Sequence, residues 1–278
     1  MSLRKIYYAL TPELRFLTRK IYFFPKDILN TILKRRRKYE PKKGDIYVGS
    51  GDFIKQGEHQ VLLLKDYINL KEDDKVLDIG SGIGRTAIPL TKYLSEKASY
   101  EGFDVVKKGV NWCNSKIKKD YANFTFTYVV LGNDLYNNSK KSAYQFKFPY
   151  KDASFDKTFL FSVFTHMQIN EIENYLSEIN RVLKSGGLCL ATFFVYDDRE
   201  GEVNFRNEFN FPIKRDGYRL MNKKVKSANI AISKTKLDQM ILDSGLKTTN
   251  FIKGSWNDLS SKNDKNDFQD ILVLKKAK

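Results

Sequence analysis

Two carboxylates and three glycines stand where a ligand-binding loop is expected. The segment Lys75–Arg85 reads KVLDIGSGIGR, an apolar strand that runs directly into Gly80, Gly82 and Gly84. Glycine tolerates positive φ and lets a ligand approach the backbone closely. Asp78, two residues before the first glycine, adds a carboxylate that would repel a phosphate and attract an ammonium group. The segment therefore predicts a loop for a zwitterionic ligand.

The second carboxylate narrows the ligand to a nucleoside. Asp104 ends the next predicted strand, twenty residues after Gly84. A carboxylate at this place can accept hydrogen bonds from both hydroxyl groups of a ribose. Dinucleotide sites use the spacing G-x-G-x-x-G, whereas this loop has G-x-G-x-G after Asp78. The spacing favours another nucleoside but leaves a nicotinamide dinucleotide open.

Alternating strands and helices must position these residues. The predicted strands are Lys75–Ile79, Ser99–Asp104, Phe124–Val130, Lys157–Ser162 and Leu188–Phe194, and the predicted helices are Arg85–Leu94, Lys107–Ile117 and Asn170–Leu183. A helix Ser233–Ser244 and an antiparallel strand pair, Lys247–Lys253 and Phe268–Leu274, follow a long irregular stretch. The alternation predicts a parallel sheet covered on both faces, with the ligand at the carboxyl ends of its strands.

Five segments, in this order, resemble the successive motifs of class I S-adenosylmethionine-dependent methyltransferases. They read VLDIGSGIGR, EGFDVV, FPYKDASFD, SVFTHM and INRVLKSGG. The resemblance covers about residues 44–194, and residues 233–275 match the family's final helix and strand pair. It implies an α/β fold with a doubly wound, seven-stranded, mostly parallel Rossmann-like sheet, an antiparallel last strand and an N-terminal helical arm. It also implies an enzyme that uses S-adenosylmethionine.

The resemblance implies roles for individual residues. Asp78 would lie near the ammonium of the methionine portion, and Asp104 would hold the ribose. Val105 would lie beside the adenine, and Ser162, at the end of the fourth strand, would face the sulfonium. The other implied cofactor contacts are Gly80, Ser81, Gly82 and Gly84 in the loop and, replacing the family's usual acidic residue near the adenine, Gln145 or Phe146.

A general base is needed only if the methyl acceptor must lose a proton. Transfer from a sulfonium is an in-line displacement, for which the protein mainly aligns and desolvates the reactants. His166 is the predicted catalytic residue, because it lies just past a strand end and an imidazole has a pKa of about 6.5. Tyr196 and Asp198 are the alternatives. Two separated cysteines and two histidines indicate no metal site.

Charge is concentrated at the beginning of the chain. The net charge is +16 over 278 residues, and residues 1–45 carry 13 Lys or Arg against 4 Asp or Glu. We predict a basic helical arm over residues 1–43, with amphipathic helices Pro12–Phe24 and Lys26–Lys38, followed by a methyltransferase domain over 44–278 with an insertion at 195–232. The arm would pack on the domain or on a partner subunit, or meet nucleic acid or an anionic membrane surface.

The acceptor is the least determined part of the function. Acceptor recognition is expected from the arm, the loop 49–53, the stretch 131–142 and the insertion. We predict a small-molecule acceptor, hydroxylated or sugar-like, methylated on oxygen or nitrogen. The alternatives are an RNA or protein methyltransferase guided by the arm and a non-catalytic cofactor-binding protein. The sequence has no run of 18 uncharged apolar residues and no disulfide framework, so a cytoplasmic location is expected, with self-association possible.

Overall fold

The computed structural model describes residues 10–49, 51–198, 209–257 and 267–277. In this part of the chain, seven strands form one mixed sheet in the order β3-β2-β1-β4-β5-β11-β10. They are β1 Lys75–Ile79, β2 Ser99–Asp104, β3 Phe124–Tyr128, β4 Phe155–Leu160, β5 Leu183–Phe193, β10 Leu246–Ile252 and β11 Asp270–Lys276. β11 is antiparallel to both of its neighbours, and the pairs among β1–β5 are parallel. The predicted sheet, including its reversed last strand, is confirmed.

Helices cover both faces of the sheet. In the described ranges they are α1 Pro12–Ile32, α2 Phe53–Ile68, α3 Ala87–Leu90, α4 Lys107–Cys113, α5 Ile169–Val182 and α6 Lys234–Asp243. Successive strand residues face opposite sides, so the sheet feeds two apolar cores. Val76 and Phe159 enter the core of α2, α3 and α4, whereas Leu77 and Leu160 enter the core of α5 and α6. The sheet is therefore doubly wound.

The register of β1 and β2 brings the two candidate carboxylates to the same edge. Asp78 pairs with Gly102, so β1 and β2 end side by side. Beyond β1, the backbone N–H groups of Gly80 and Ser81 donate to the carbonyl of Phe103 at 2.9 and 3.0 Å. The glycine loop is thereby tied to the end of β2, one residue before Asp104.

The helices next to the loop are shorter than predicted. The helix expected over Arg85–Leu94 is reduced to the four residues of α3, and Pro89 has no N–H to donate to the carbonyl of Arg85 at its start. The helix expected over Lys107–Ile117 changes to a π-helical turn at Asn114–Lys118. After α5, Leu183 is extended and pairs with Phe155, so β5 follows the helix directly.

The N-terminal arm is one helix, and the prediction of two was wrong. α1 runs through Pro25 and ends at Ile32. Pro25 leaves the carbonyl of Ile21 without its helical donor, but both residues are exposed, so water can satisfy that oxygen. The inner side is fixed by Asp27, which accepts from the N–H groups of Lys43 and Gly44 at 2.7 and 2.9 Å. In the described part of the chain, no helix combines the length and apolarity that a bilayer crossing needs.

The region 195–232 is more regular than its sequence suggests. Its described residues form a second sheet in the order β6-β9-β8-β7. The strands are β6 Val195–Tyr196, β7 Ile213–Arg215, β8 Tyr218–Leu220 and β9 Ile230–Ser233. Strands of two to four residues are too short to show a period-2 pattern, which is why an irregular stretch was predicted. This sheet packs on an aromatic cluster that includes Phe194, Phe211 and Trp256.

Candidate active site

A cavity of about 420 Å³ lies at the carboxyl ends of β1, β2 and β4. Its volume falls within the range of about 300–1,000 Å³ typical of small-molecule and cofactor sites. Its wall includes Gly80, Ser81, Gly82 and Asp104, and also His166 and the inner face of α1. The cavity thus joins the loop singled out in the sequence to the N-terminal helix.

Glycine is required at the three loop positions for different structural reasons. All have positive φ, at +78°, +59° and +78° for Gly80, Gly82 and Gly84. A Cβ at Gly84 would lie 2.7 Å from Cδ1 of Ile117, so this glycine allows close packing on the helical segment after β2. Gly80 and Gly82 line the cavity, whereas Gly84 does not. The structure therefore brings two of the three predicted glycines to the cavity wall.

Asp104 is buried at the cavity wall and organises the loop. Its Oδ2 accepts from the N–H of Gly82 at 2.8 Å, and its Oδ1 accepts from the N–H of Val106 at 2.7 Å. Burial raises the pKa of this carboxyl to about 6, against the opposing effect of those N–H groups. Each carboxylate oxygen has a second lone pair, so the side chain can still accept from a ligand hydroxyl.

Asp78 is buried behind the loop and is held by a tyrosine. The hydroxyl of Tyr100 donates to Oδ2 of Asp78 at 2.5 Å. Burial raises the pKa of Asp78 to about 7, while the Tyr100 hydrogen bond and the Arg85 guanidinium act in the opposite direction. Beside it, the buried Oγ of Ser81 has no hydrogen-bond partner among the described residues. A buried carboxylate and an unsatisfied hydroxyl together fit a polar, positively charged ligand group.

Ser162 and Val105 also line the cavity, but Gln145 and Phe146 do not. Ser162 has φ +59°, and its Oγ donates to Oε1 of Gln269 at 2.9 Å. Gln145 is exposed to solvent. The Phe146 ring packs 5.9 Å from the Phe103 ring in the core. At this part of the wall the lining residue is instead Ala143, from the same 3₁₀ turn.

His166 is half-buried in the cavity wall. Its Nδ1 lies 2.8 Å from the carbonyl oxygen of Ser227, which can only accept a hydrogen bond. Burial lowers the pKa of His166 below its ordinary value, so the neutral ring is favoured. The alternatives lie outside the cavity lining: the Tyr196 ring packs under Arg219, and Asp198 accepts from the Thr235 hydroxyl at 2.9 Å. Of the three base candidates, His166 alone borders the cavity.

The inner face of α1 contributes residues that the sequence reasoning did not place in the site. Pro12, Arg15, Phe16 and Arg19 line the cavity. Phe16 packs edge-on against Tyr47, with ring centroids 5.5 Å apart, and Tyr47 lies 6.0 Å from Tyr136. Their spacing along the helix, at i, i+3, i+4 and i+7, was the available signal. The basic residues of the arm instead indicated a surface contact.

Asp134 joins three segments that border the cavity. Its carbonyl accepts from Nη1 of Arg15 at 3.2 Å, and the neighbouring Leu135 carbonyl accepts from the same nitrogen at 3.0 Å. The Asp134 carboxylate accepts from the N–H groups of Lys226 and Ser227 at 2.8 and 3.0 Å. Through this residue α1, the 131–142 stretch and the insertion form a continuous wall.

Comparisons with known proteins match the central part of the chain to methyltransferases. A family model described as "Methyltransferase domain" matches residues 77–191. A curated phosphoethanolamine N-methyltransferase from Plasmodium falciparum is 26% identical over 185 residues. That match covers 66% of this chain and 59% of the relative's length.

Solved structures share the fold at low sequence identity. A protein from Pyrococcus horikoshii OT3 has a TM-score of 0.55 at 17% identity, covering 84% of this chain and 95% of its own. A Burkholderia thailandensis 1,6-didemethyltoxoflavin-N1-methyltransferase, solved with that compound and S-adenosylhomocysteine, has a TM-score of 0.52 at 12% identity, covering 93% and 89%. Together the family model over residues 77–191, the curated relative and the strand order support a class I S-adenosylmethionine-dependent methyltransferase domain in this chain.

Proposed function

We propose that this methyltransferase modifies a nitrogen or oxygen of a small-molecule acceptor, and that the first class to test is an amine carrying an anionic group. The observation that supports it most is that one cavity is lined by two chemically different groups of residues. The first group is the glycine loop with Asp104. The second is Arg15, Arg19 and His166.

The residues around the glycine loop fit S-adenosylmethionine. The Asp78 carboxylate would face the ammonium group, and Ser81 Oγ offers a hydroxyl that lacks a partner among the described residues. Asp104 would accept from the ribose hydroxyls with its remaining lone pairs. Val105, in the wall next to Asp104, would lie against the adenine, and Ser162 would be near the reactive centre.

The remaining wall residues favour a small acceptor. Arg15 and Arg19 bring positive charge to it, which suits a phosphate or carboxylate group. Tyr47, Tyr136 and Phe16 add aromatic faces, which attract an ammonium group. The contacts of Arg15 with the 134–135 carbonyls hold α1 over the cavity, which leaves less access for a polymer. The curated relative's name, phosphoethanolamine N-methyltransferase, points to the same acceptor chemistry.

Methyl transfer requires the protein mainly to position the two reactants and to exclude water. S-adenosylmethionine supplies a methyl group already activated on a sulfonium, so the wall residues mainly hold the acceptor in line and exclude water. His166, donating from Nδ1 to Ser227, keeps Nε2 as the acceptor atom. That nitrogen would take a proton from an ammonium or hydroxyl acceptor.

The test is a methyl-transfer assay with S-adenosylmethionine over a panel of acceptors, read by the 14-dalton mass increase. The panel contains phosphoethanolamine, ethanolamine, a sugar alcohol and total RNA. Transfer to phosphoethanolamine above ethanolamine would support the proposal and the role of the two arginines. Transfer to RNA alone, or to the sugar alcohol in preference to both amines, would overturn this acceptor class.

A further inference from the structure

We propose that the outer face of α1, together with the basic cluster Lys34–Lys38, is a docking surface for an anionic lipid bilayer. The inference does not depend on which acceptor is methylated, because it rests on a face of the molecule opposite to the cavity wall. We call this face the outer stripe; its residues are Leu14, Leu17, Ile21, Phe24, Ile28 and Ile32.

The outer stripe is apolar and exposed along the whole helix. Its positions advance by three or four residues, so the side chains lie on one line along the helix. Ile21, Phe24 and Ile32 are 66%, 61% and 70% exposed. Among the described residues, nine of the sixteen exposed large hydrophobic side chains fall between residues 14 and 33. A concentration of this kind marks an interaction surface, whereas scattered single residues would not.

Contacts on the opposite side of α1 prevent a rotation of the helix that would bury the outer stripe. Its opposite side is fixed at both ends: Arg15 donates to the carbonyls of Asp134 and Leu135, and Asp27 accepts from the N–H groups of Lys43 and Gly44. Phe16 packs on Tyr47 between them. The contacts of Arg15, Phe16 and Asp27 therefore hold this side of α1 against the protein, and the residues of the outer stripe face outward.

The charges around the stripe select the partner. Residues 18–38 contain eight Lys or Arg and one acid, Asp27, which is buried against backbone N–H groups. Lys20 borders the stripe and is exposed, and the cluster Lys34–Lys38 follows its end; in this cluster Lys34 and Arg35 are exposed, and Arg37 and Lys38 pair with Asp52 and Asp120. Two copies pairing through their stripes would bring like charges together. An apolar stripe bordered by basic residues instead matches the interface of an anionic bilayer, where acyl chains and negative headgroups lie side by side.

The same helix separates this surface from the cavity. Pro12, Phe16 and Arg19 line the cavity from its inner side. A bilayer on the outer stripe would therefore lie one helix diameter, about 10 Å, from the cavity wall. Docking would hold the cavity close to molecules that arrive from the membrane surface.

The experiment is co-sedimentation of the full chain with vesicles of phosphatidylcholine, alone or with about 30% phosphatidylserine. We expect binding to the anionic vesicles, a decrease at about 1 M salt, and little binding to the neutral ones. The variant Ile21→Gln/Ile28→Gln should bind about tenfold less or weaker still, because two exposed side chains lose their apolar contact. The matched control is Leu62→Gln/Leu242→Gln, which changes two exposed leucines on α2 and α6 and should bind like the unaltered protein.

Charge is tested separately. Lys34→Gln/Arg35→Gln should weaken binding to the anionic vesicles, whereas Lys223→Gln/Lys224→Gln, an exposed pair elsewhere, should not. Retained affinity for S-adenosylhomocysteine would show that each variant is folded. Equal loss in the outer-stripe and control pairs would overturn the proposal. A dimer that dissociates on Ile21→Gln, or RNA binding in place of vesicle binding, would overturn it in favour of a second copy or of nucleic acid.

Discussion

His166 presents Nδ1 to the carbonyl oxygen of Ser227 at 2.8 Å, so a residue of the insertion sets the tautomer of the imidazole. Because that carbonyl can only accept, the neutral ring carries its proton on Nδ1 and leaves Nε2 able to take one. The half-buried ring borders the cavity. The insertion thereby acts on the site through a backbone atom.

Replacing His166 should affect catalysis and spare cofactor binding. If Nε2 takes the acceptor's proton, His166→Gln should lower kcat by about 10²- to 10⁴-fold with little change in affinity for S-adenosylhomocysteine. Burial lowers the pKa of His166, so the acidic limb of the wild-type pH profile should lie below 6.5 and be absent in the variant. A variant with the wild-type kcat and profile would show that no base acts there.

Cofactor affinity should depend on pH through Asp78. Burial raises the pKa of Asp78 to about 7, so an ammonium group meets a charged partner only above that pH. Affinity for S-adenosylhomocysteine should level off above pH 7 and fall about tenfold per pH unit well below it. In Asp78→Asn this dependence should disappear above about pH 6, where Asp104 is still charged. Calorimetry at several pH values measures both, and identical profiles for the two proteins would contradict the assignment.

The Tyr100 hydroxyl offers an independent check on the same group. Its hydrogen bond lowers the pKa of Asp78, so Tyr100→Phe should raise that pKa further and move the binding profile to higher pH. The sign for stability is also defined. Between the unfolded value of 3.8 and about 7 the native protein holds more protons at Asp78 than the unfolded chain does, so this group's contribution to stability decreases as pH rises. A profile of Tyr100→Phe displaced to lower pH would exclude this arrangement.

Asp104 should matter for both the loop and the ligand. Asp104→Ala removes the acceptor of the Gly82 and Val106 N–H groups and the predicted partner of the ribose hydroxyls. A charge-assisted hydrogen bond contributes roughly 1.5–3 kcal/mol, so S-adenosylhomocysteine should bind about ten- to hundredfold more weakly. Asp104→Asn, which keeps one acceptor oxygen, should lose less. Calorimetry that finds the affinity of Asp104→Ala unchanged would refute the ribose contact.

Gly84 should contribute to stability rather than to binding. Gly84→Ala places a Cβ at φ +78° within 2.7 Å of Cδ1 of Ile117, and we expect a loss of about 1–3 kcal/mol in the free energy of unfolding. Adding Ile117→Val removes that methyl group and should restore part of the stability in urea titrations. If Gly84→Ala is as stable as the wild type but loses cofactor affinity, this glycine belongs to the binding surface after all.

The sheet and its glycine loop could be predicted because each strand is long enough to show its pattern. The limits of β1 and β2 match the sequence prediction, and the reversed β11 follows from the polar connection before it. The failures are local. Pro89 removes one hydrogen bond at the start of the short α3, whereas the exposed Pro25 does not interrupt α1, because water can satisfy the carbonyl of Ile21.

The acceptor side of the cavity was less predictable for a different reason. Arg15 and Asp134 are 119 residues apart and meet through a backbone carbonyl, which has no signature in side-chain type. Tyr47 and Tyr136 are likewise far apart in sequence and meet with ring centroids 6.0 Å apart. Asp104 could be predicted because it lies at a fixed distance in sequence after the glycine loop, whereas the position of the other wall residues depends on the complete fold.

The two ends of the insertion lie side by side. β6 and β9 pair in parallel, Val195 with Ile232 and Tyr196 with Ser233, directly after β5 and directly before α6. The segment between these two strands therefore begins and ends at the same point of the fold. The entropy cost of lengthening such a loop grows only slowly with its length. The inserted segment can therefore differ in length and sequence without disturbing the sheet. A different insertion would allow the same sheet and glycine loop to serve a different acceptor.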